Sequence, residues 1–126
     1  MIKKLLIADD DPEIRLLIKK TLDLSDYEIY ESKNGIEALG TVFYKKPDVI
    51  LLDIMMPGPI DGLEVCRLIK SSQWSSHIRV VLLSALSGVE NLKAAGLVDA
   101  DAYLVKPFQI MSLLETLKTE SRCVNP

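Results

Sequence analysis

The chain has 126 residues, a formal net charge of −3, and 48% hydrophobic against 26% charged residues. That balance suits one domain with one apolar core, needing neither disulfides nor a structural metal. It offers no basic surplus for nucleic acid, no apolar run near the ~20 residues of a membrane span, and no signal peptide after Met1-Ile2-Lys3-Lys4.

Five short apolar runs alternate with amphipathic segments. Leu5-Leu6-Ile7-Ala8 is the first run, and Tyr27 to Tyr30 the second and weakest. Val49-Ile50-Leu51-Leu52 is the third, Val80-Val81-Leu82-Leu83 the fourth and Ala102 to Val105 the fifth. Runs of this length, apolar throughout, fit parallel strands buried on both faces. Between them lie helical patterns. Asp11-Pro12-Glu13 gives an N-cap acceptor, a proline at the first helical position and a carboxylate near the positive dipole end. Ile14, Leu17, Ile18 and Leu22 follow as a buried stripe. Asn34-Gly35 opens a second helix through Ala38 and Leu39. Leu63, Cys66 and Ile69 mark a third, Val89, Leu92 and Ala95 a fourth, and Ile110, Leu113, Leu114 and Leu117 a fifth.

Strand–helix alternation of this kind predicts an α/β fold of three layers, a doubly wound (βα)5 flavodoxin-like parallel sheet with strand order 2-1-3-4-5. The domain is expected over residues 1–119, with a frayed tail from Glu120 to Pro126. The uncharged finish at Cys123-Val124-Asn125-Pro126 is expected to be a natural end. Cys66 and Cys123 lack metal-ligand spacing and read as reduced thiols of a cytoplasmic protein. His77 is the only histidine, and alone it builds neither a zinc site nor a triad.

In such sheets ligands sit beyond the carboxyl ends of the strands, where the strand order reverses. Asp9-Asp10-Asp11 ends the first strand there, and Asp53 ends the third. Asp11 serves as the N-cap, and a bare acidic triplet is weak grounds for a metal. Asp53 changes the weighing. Carboxylates ~5 Å apart repel by roughly 3 kcal/mol per pair at an effective dielectric of ~20. A hard cation with few protein ligands, Mg²⁺ above all, relieves that repulsion. Ser84 ends the fourth strand with a hydroxyl donor, and Lys106 follows the fifth as a point charge. This set predicts phosphoryl transfer to Asp53, with Lys106 and Ser84 holding the transferred group.

These residues resemble the response-regulator receiver domain of two-component signalling, from about residue 3 to 119. The resemblance rests on Leu5-Leu6-Ile7-Ala8-Asp9-Asp10-Asp11-Pro12, Asn34-Gly35-Ile36-Glu37-Ala38-Leu39, Pro47 through Gly58, Asp61-Gly62-Leu63-Glu64, and Tyr103-Leu104-Val105-Lys106-Pro107-Phe108. It implies Asp53 as phospho-acceptor. It implies Asp10, Asp53 and the Met55 backbone carbonyl as Mg²⁺ ligands, with Asp9 acting largely through water. Ser84 is the implied switch hydroxyl, Tyr103 the switch aromatic and Lys106 the phosphate-binding lysine, with a cis Lys106–Pro107 bond. The implied partners are a sensor histidine kinase or histidine phosphotransfer protein, and a downstream effector or fused output domain reached through the fourth helix, fifth strand and fifth helix. A phosphorylation-dependent homodimer is a further implied partner state. No nucleic acid or membrane contact is expected, and the chain is expected to catalyse only its own phosphorylation and dephosphorylation.

The loop Pro57-Gly58-Pro59-Ile60-Asp61-Gly62 is one residue longer than the family pattern. Met55 and Leu86, two residues beyond Asp53 and Ser84, are apolar and border the path of attacking water, which predicts slow loss of the phosphoryl group. Competing readings fare worse. A phosphohydrolase with an aspartyl-phosphate intermediate would carry an acid/base Asp where Met55 stands. A flavodoxin needs a phosphate-cradling loop where three aspartates follow the first strand. The alternative kept open is a pseudo-receiver, an interaction module that is not phosphorylated, although none of the five site residues is lost. Whether the chain stands alone or belongs to a larger regulator stays open on the sequence.

Overall fold

The computed structural model describes residues 2–85 and 99–123. Its elements in chain order are β1 (Lys3–Ala8), α1 (Pro12–Thr21), β2 (Tyr27–Ser32), α2 (Gly35–Lys45), β3 (Val49–Asp53), α3 (Gly62–Ser71), β4 (Arg79–Ser84), β5 (Ala102–Val105) and α4 (Ile110–Cys123). The five strands form one sheet in the order β2-β1-β3-β4-β5, and every neighbouring pair is parallel. This is the expected doubly wound, flavodoxin-like architecture. The fourth expected helix, with Val89, Leu92 and Ala95, lies outside the described residues, as does Leu86.

Continuous apolar strands conceal a period of two that becomes visible once the sheet is covered on both sides. Leu6, Ala8, Ile50, Leu52, Val80 and Leu82 face one way, packing with Ala38 and Val42 of α2 and with Val65, Cys66 and Ile69 of α3. Leu5, Ile7, Val49, Leu51, Val81 and Leu83 face the other way, against Ile18 of α1, Leu22 just past it, and Leu113 and Leu117 of α4. Both layers are dry, since each of these strand residues is fully buried. β2 sits at an edge and is only partly covered, which explains why its sequence signal is weak.

The helix starts follow from capping chemistry. Asp11 accepts a hydrogen bond from the Glu13 N–H at 2.9 Å, Asn34 from Glu37 at 2.8 Å and Asp61 from Glu64 at 3.0 Å. Each cap supports its helix by about 1 kcal/mol. α2 ends at Lys46 in the left-handed region, φ 51°. Two details differ from the sequence pattern. Leu17 is 40% exposed, because the stripe of α1 that meets the sheet runs through Ile14, Ile18 and Leu22 at four-residue steps and leaves Leu17 at its margin. α4 continues to Cys123, into the segment expected as a tail. Neither proline nor glycine stands between Ile110 and Cys123 to stop it.

Candidate functional site

The carboxyl ends of β1 and β3 lie side by side, Ala8 opposite Leu52, so the residues that follow them meet. One carboxylate oxygen each from Asp9, Asp10 and Asp53 lie within 4.8 Å of one another. Asp9 is fully buried, Asp53 nearly so, and Asp10 faces solvent. β5 delivers the counter-charge. Lys106 Nζ donates to Asp9 Oδ2 at 2.7 Å and lies 3.5 Å from Asp53 Oδ1. The Lys106–Pro107 bond is cis.

Several backbone devices hold these groups. Asp9 N–H donates to the Ser32 carbonyl at 3.0 Å, tying the end of β1 to β2. Asp9 Oδ1 accepts from the Asp11 N–H at 2.9 Å. The Met55 N–H donates to Asp53 Oδ1 at 3.4 Å, and Met55 itself is 65% exposed. Gly62 opens α3 directly on the backbone of β3's end. A Cβ there would strike the Asp53 carbonyl and Ile54, so only glycine lets the helix approach so closely. Its N–H donates to the Ile54 carbonyl at 2.8 Å and closes the long loop. Within that loop Gly58 takes φ 107°, and Ile60 packs back onto the core.

Ser84 is buried at the end of β4, and its carbonyl accepts from the Lys106 N–H at 2.7 Å. Tyr103 pairs in register with Leu82 and is half-buried against the layer that contains α2 and α3. Asp9, Asp10, Asp53 and Lys106 thus come together, with Ser84 and Met55 on the same rim of the sheet. Sequence reasoning passed over Arg15. Its Nη1 donates to the Asp9 carbonyl at 2.7 Å and its Nε to Glu31 Oε1 at 3.0 Å. The available signal was its place on the second turn of α1, just after the acidic triplet.

The electrostatics follow from that crowding. Burial pushes the Asp53 carboxyl up to about 6, the Asp9 charge and, less, Asp10 push the same way, and Lys106 and the Met55 N–H oppose them. Burial opposes the charged form of Lys106, yet its bond to Asp9 and the nearby Asp53 outweigh burial and raise its pKa. Three carboxylates therefore share one lysine. An all-oxygen donor set carrying excess negative charge and open to water fits Mg²⁺.

A flavodoxin-like sheet with an acidic crevice at its switch point places its candidate ligand groups beyond the carboxyl ends of the strands. The comparisons give the family: the chain belongs to the response regulator receiver domain family, whose model matches residues 5–118. It is 38% identical over 125 residues to the phosphate regulon transcriptional regulatory protein PhoB of Pseudomonas aeruginosa, covering 98% of this chain and 54% of that protein. Among solved structures it resembles the chemotaxis response regulator CheY4 of Vibrio cholerae, with 28% identity, a TM-score of 0.84, and coverage of 94% of this chain and 98% of that one. It also resembles the BeF3-activated DrrB receiver domain, with 29% identity, a TM-score of 0.80, and coverage of 94% and 97%. The chain spans about half the length of the curated relatives it matches.

Proposed function

We propose that Asp53 accepts a phosphoryl group from a histidine kinase or a histidine phosphotransfer protein in a Mg²⁺-dependent reaction. The observation that carries this is the convergence of Asp9, Asp10, Asp53 and Lys106 from three strand ends into one crevice. A carboxylate oxygen of Asp53 attacks phosphorus, the bond from phosphorus to the donor nitrogen breaks, and an acyl phosphate remains. Such a transition state spreads charge over its equatorial oxygens, so positioning and charge stabilisation do most of the work. Lys106, already 3.5 Å from Asp53, supplies a fixed positive charge for those oxygens. Ser84 supplies a hydroxyl donor from the adjoining strand end. Asp10, Asp53 and the Met55 carbonyl would hold the metal, with Asp9 acting through water. When bound, Mg²⁺ offsets the repulsion between the incoming phosphoryl oxygens and the carboxylates.

The new group brings about one to two negative charges and fresh acceptor oxygens. In this reading Ser84 moves toward them and Tyr103 turns inward, changing the face that β5 and α4 present to an effector, a fused output domain or a second copy. Moving such an equilibrium from mostly off to mostly on takes about 5.5 kcal/mol of preferential stabilisation, more than one charge-assisted hydrogen bond supplies. The resting protein therefore already samples the active form. Activation of the similar DrrB receiver by BeF3 supports an acceptor of this kind. The chain catalyses only its own phosphorylation and dephosphorylation, and it works in the cytoplasm. Among the described residues no helix is long and apolar enough to cross a membrane.

The test is incubation with a small phosphodonor and Mg²⁺, followed by intact mass. The expected result is a gain of one phosphoryl group that is abolished by chelator and by Asp53→Ala. A mass unchanged in the native protein would favour the pseudo-receiver.

A further inference from the structure

The peptide that joins Asp9 to Asp10 is gripped from outside the crevice. Arg15 Nη1 reaches its carbonyl at 2.7 Å from the second turn of α1. Arg15 cannot wander, because its Nε donates to Glu31 Oε1 at 3.0 Å, and the Arg15 side chain is only 18% exposed. Glu31 is itself fixed: its second oxygen accepts from Lys19 Nζ at 3.0 Å. Glu31 stands on β2, in register with Ile7 of β1. Burial alone would raise its carboxyl, but Lys19 and Arg15 hold it below the usual range, so it stays ionised.

We infer that Arg15, clamped by Glu31, is a positioning residue that sets the plane of the Asp9–Asp10 peptide and so aims the Asp10 carboxylate at the metal. A peptide unit is planar, so fixing its carbonyl fixes the Asp10 Cα, the point from which the carboxylate reaches the crevice. Asp10 needs such help, because it lies on the solvent side of the cluster. Asp9 is already held by the Asp11 N–H and by Lys106. The inference rests on the metal-binding reading of the site given above.

The sign of the effect separates this role from simple electrostatics. A cation near an acidic pocket repels Mg²⁺, so through charge alone removing Arg15 would tighten metal binding. Through positioning, its removal weakens binding. The experiment is calorimetric titration with Mg²⁺ alone, without phosphodonor, on the native protein, Arg15→Met, Arg15→Lys, Glu31→Gln and Asp10→Asn. The metal-free melting temperature of each is measured alongside. Partners that orient metal ligands typically matter ~10-fold or more; Arg15→Met is expected to weaken binding by about tenfold, Glu31→Gln by less, and Arg15→Lys to restore part of the loss. Equal or tighter binding by a folded Arg15→Met overturns the inference. Should Arg15→Met fail to fold, Arg15→Lys decides, because it keeps the charge but loses the two-pronged grip, and native affinity there overturns the inference. If Asp10→Asn binds as well as the native protein, the metal reading and the inference both fall; weak binding by Asp10→Asn with full binding by Arg15→Met sinks the inference alone.

Discussion

Two lysine–aspartate pairs stand at opposite ends of the sheet, and they have opposite characters. At the amino ends of β4 and β5, Lys70 Nζ lies 2.7 Å from Asp101 Oδ2. Lys70 also donates to the carbonyls of Ser76 and Ile78, and Asp101 also accepts from the Val80 N–H. One positive charge meets one negative charge, and the remaining Lys70 donors are taken by backbone carbonyls. At the carboxyl ends, Lys106 makes an equally short bond to Asp9, but Asp53 and Asp10 crowd the same space. The first pair is a closed clasp. The second is left with unbalanced charge, which destabilises the fold and, on the proposed function, makes a place for a cation and a phosphoryl group.

The sharpest way to break this contrast is pH in the presence of chelator. The Asp53 carboxyl sits at about 6 in the folded protein, against an ordinary 3.8. The native state therefore binds more protons than the unfolded state between those values, and stability falls as pH rises from about 4 to about 6. About two pH units correspond to on the order of 2–3 kcal/mol. Asp53→Asn should remove that slope and leave the protein more stable than the native chain at pH 7, as read by chemical denaturation at pH 4.5 and pH 7. An unchanged slope would mean that Asp53 carries no strain. The closed clasp should respond in the opposite sense. Lys70→Met leaves Asp101 without its cation at the sheet's other end, held by the Val80 N–H. A fully buried orphaned charge costs ~3–5 kcal/mol, but Asp101 is partly solvated, so about 1–2 kcal/mol is expected. Phosphorylation of Asp53 by a small donor should continue, because Lys70 touches nothing in the crevice.

The clasp and the crevice were not equally legible in the sequence. The strand runs, their order and the four residues of the crevice all announced themselves. Apolar runs buried on both faces are distinctive, and Asp9, Asp10, Asp53 and Lys106 each fall just at or beyond such a run. Glu31 and Arg15 left no comparable mark, since an Arg on an amphipathic helix and a Glu on an edge strand are ordinary surface residues until the fold brings them together. Asp101 and Lys70 were hidden for the same reason: their partners include the carbonyls of Ser76 and Ile78, and a backbone acceptor has no sequence signature. Leu17 shows the reverse error, where an apolar residue at helical spacing proved to lie at the stripe's margin.

The smallest expected effect separates the crevice's two costs. Asp10 contributes least among the groups that raise Asp53, and it faces water, where charge interactions are worth ~0.2–1 kcal/mol. Asp10→Asn should therefore stabilise the metal-free protein by only about 0.5 kcal/mol, measured as a shift in the denaturant midpoint with no change in slope. In Mg²⁺ the order should reverse. The native protein gains stability from any ligand that binds only the folded state, and the variant, lacking one ligand charge, gains less. A crossing of the two stabilities as Mg²⁺ is added is the outcome expected of the proposed metal site, where a bound cation cancels the repulsion. Parallel curves would show that Asp10 is only a solvated residue beside a buried ion pair, and the crevice would then resemble the clasp at the other end of the sheet.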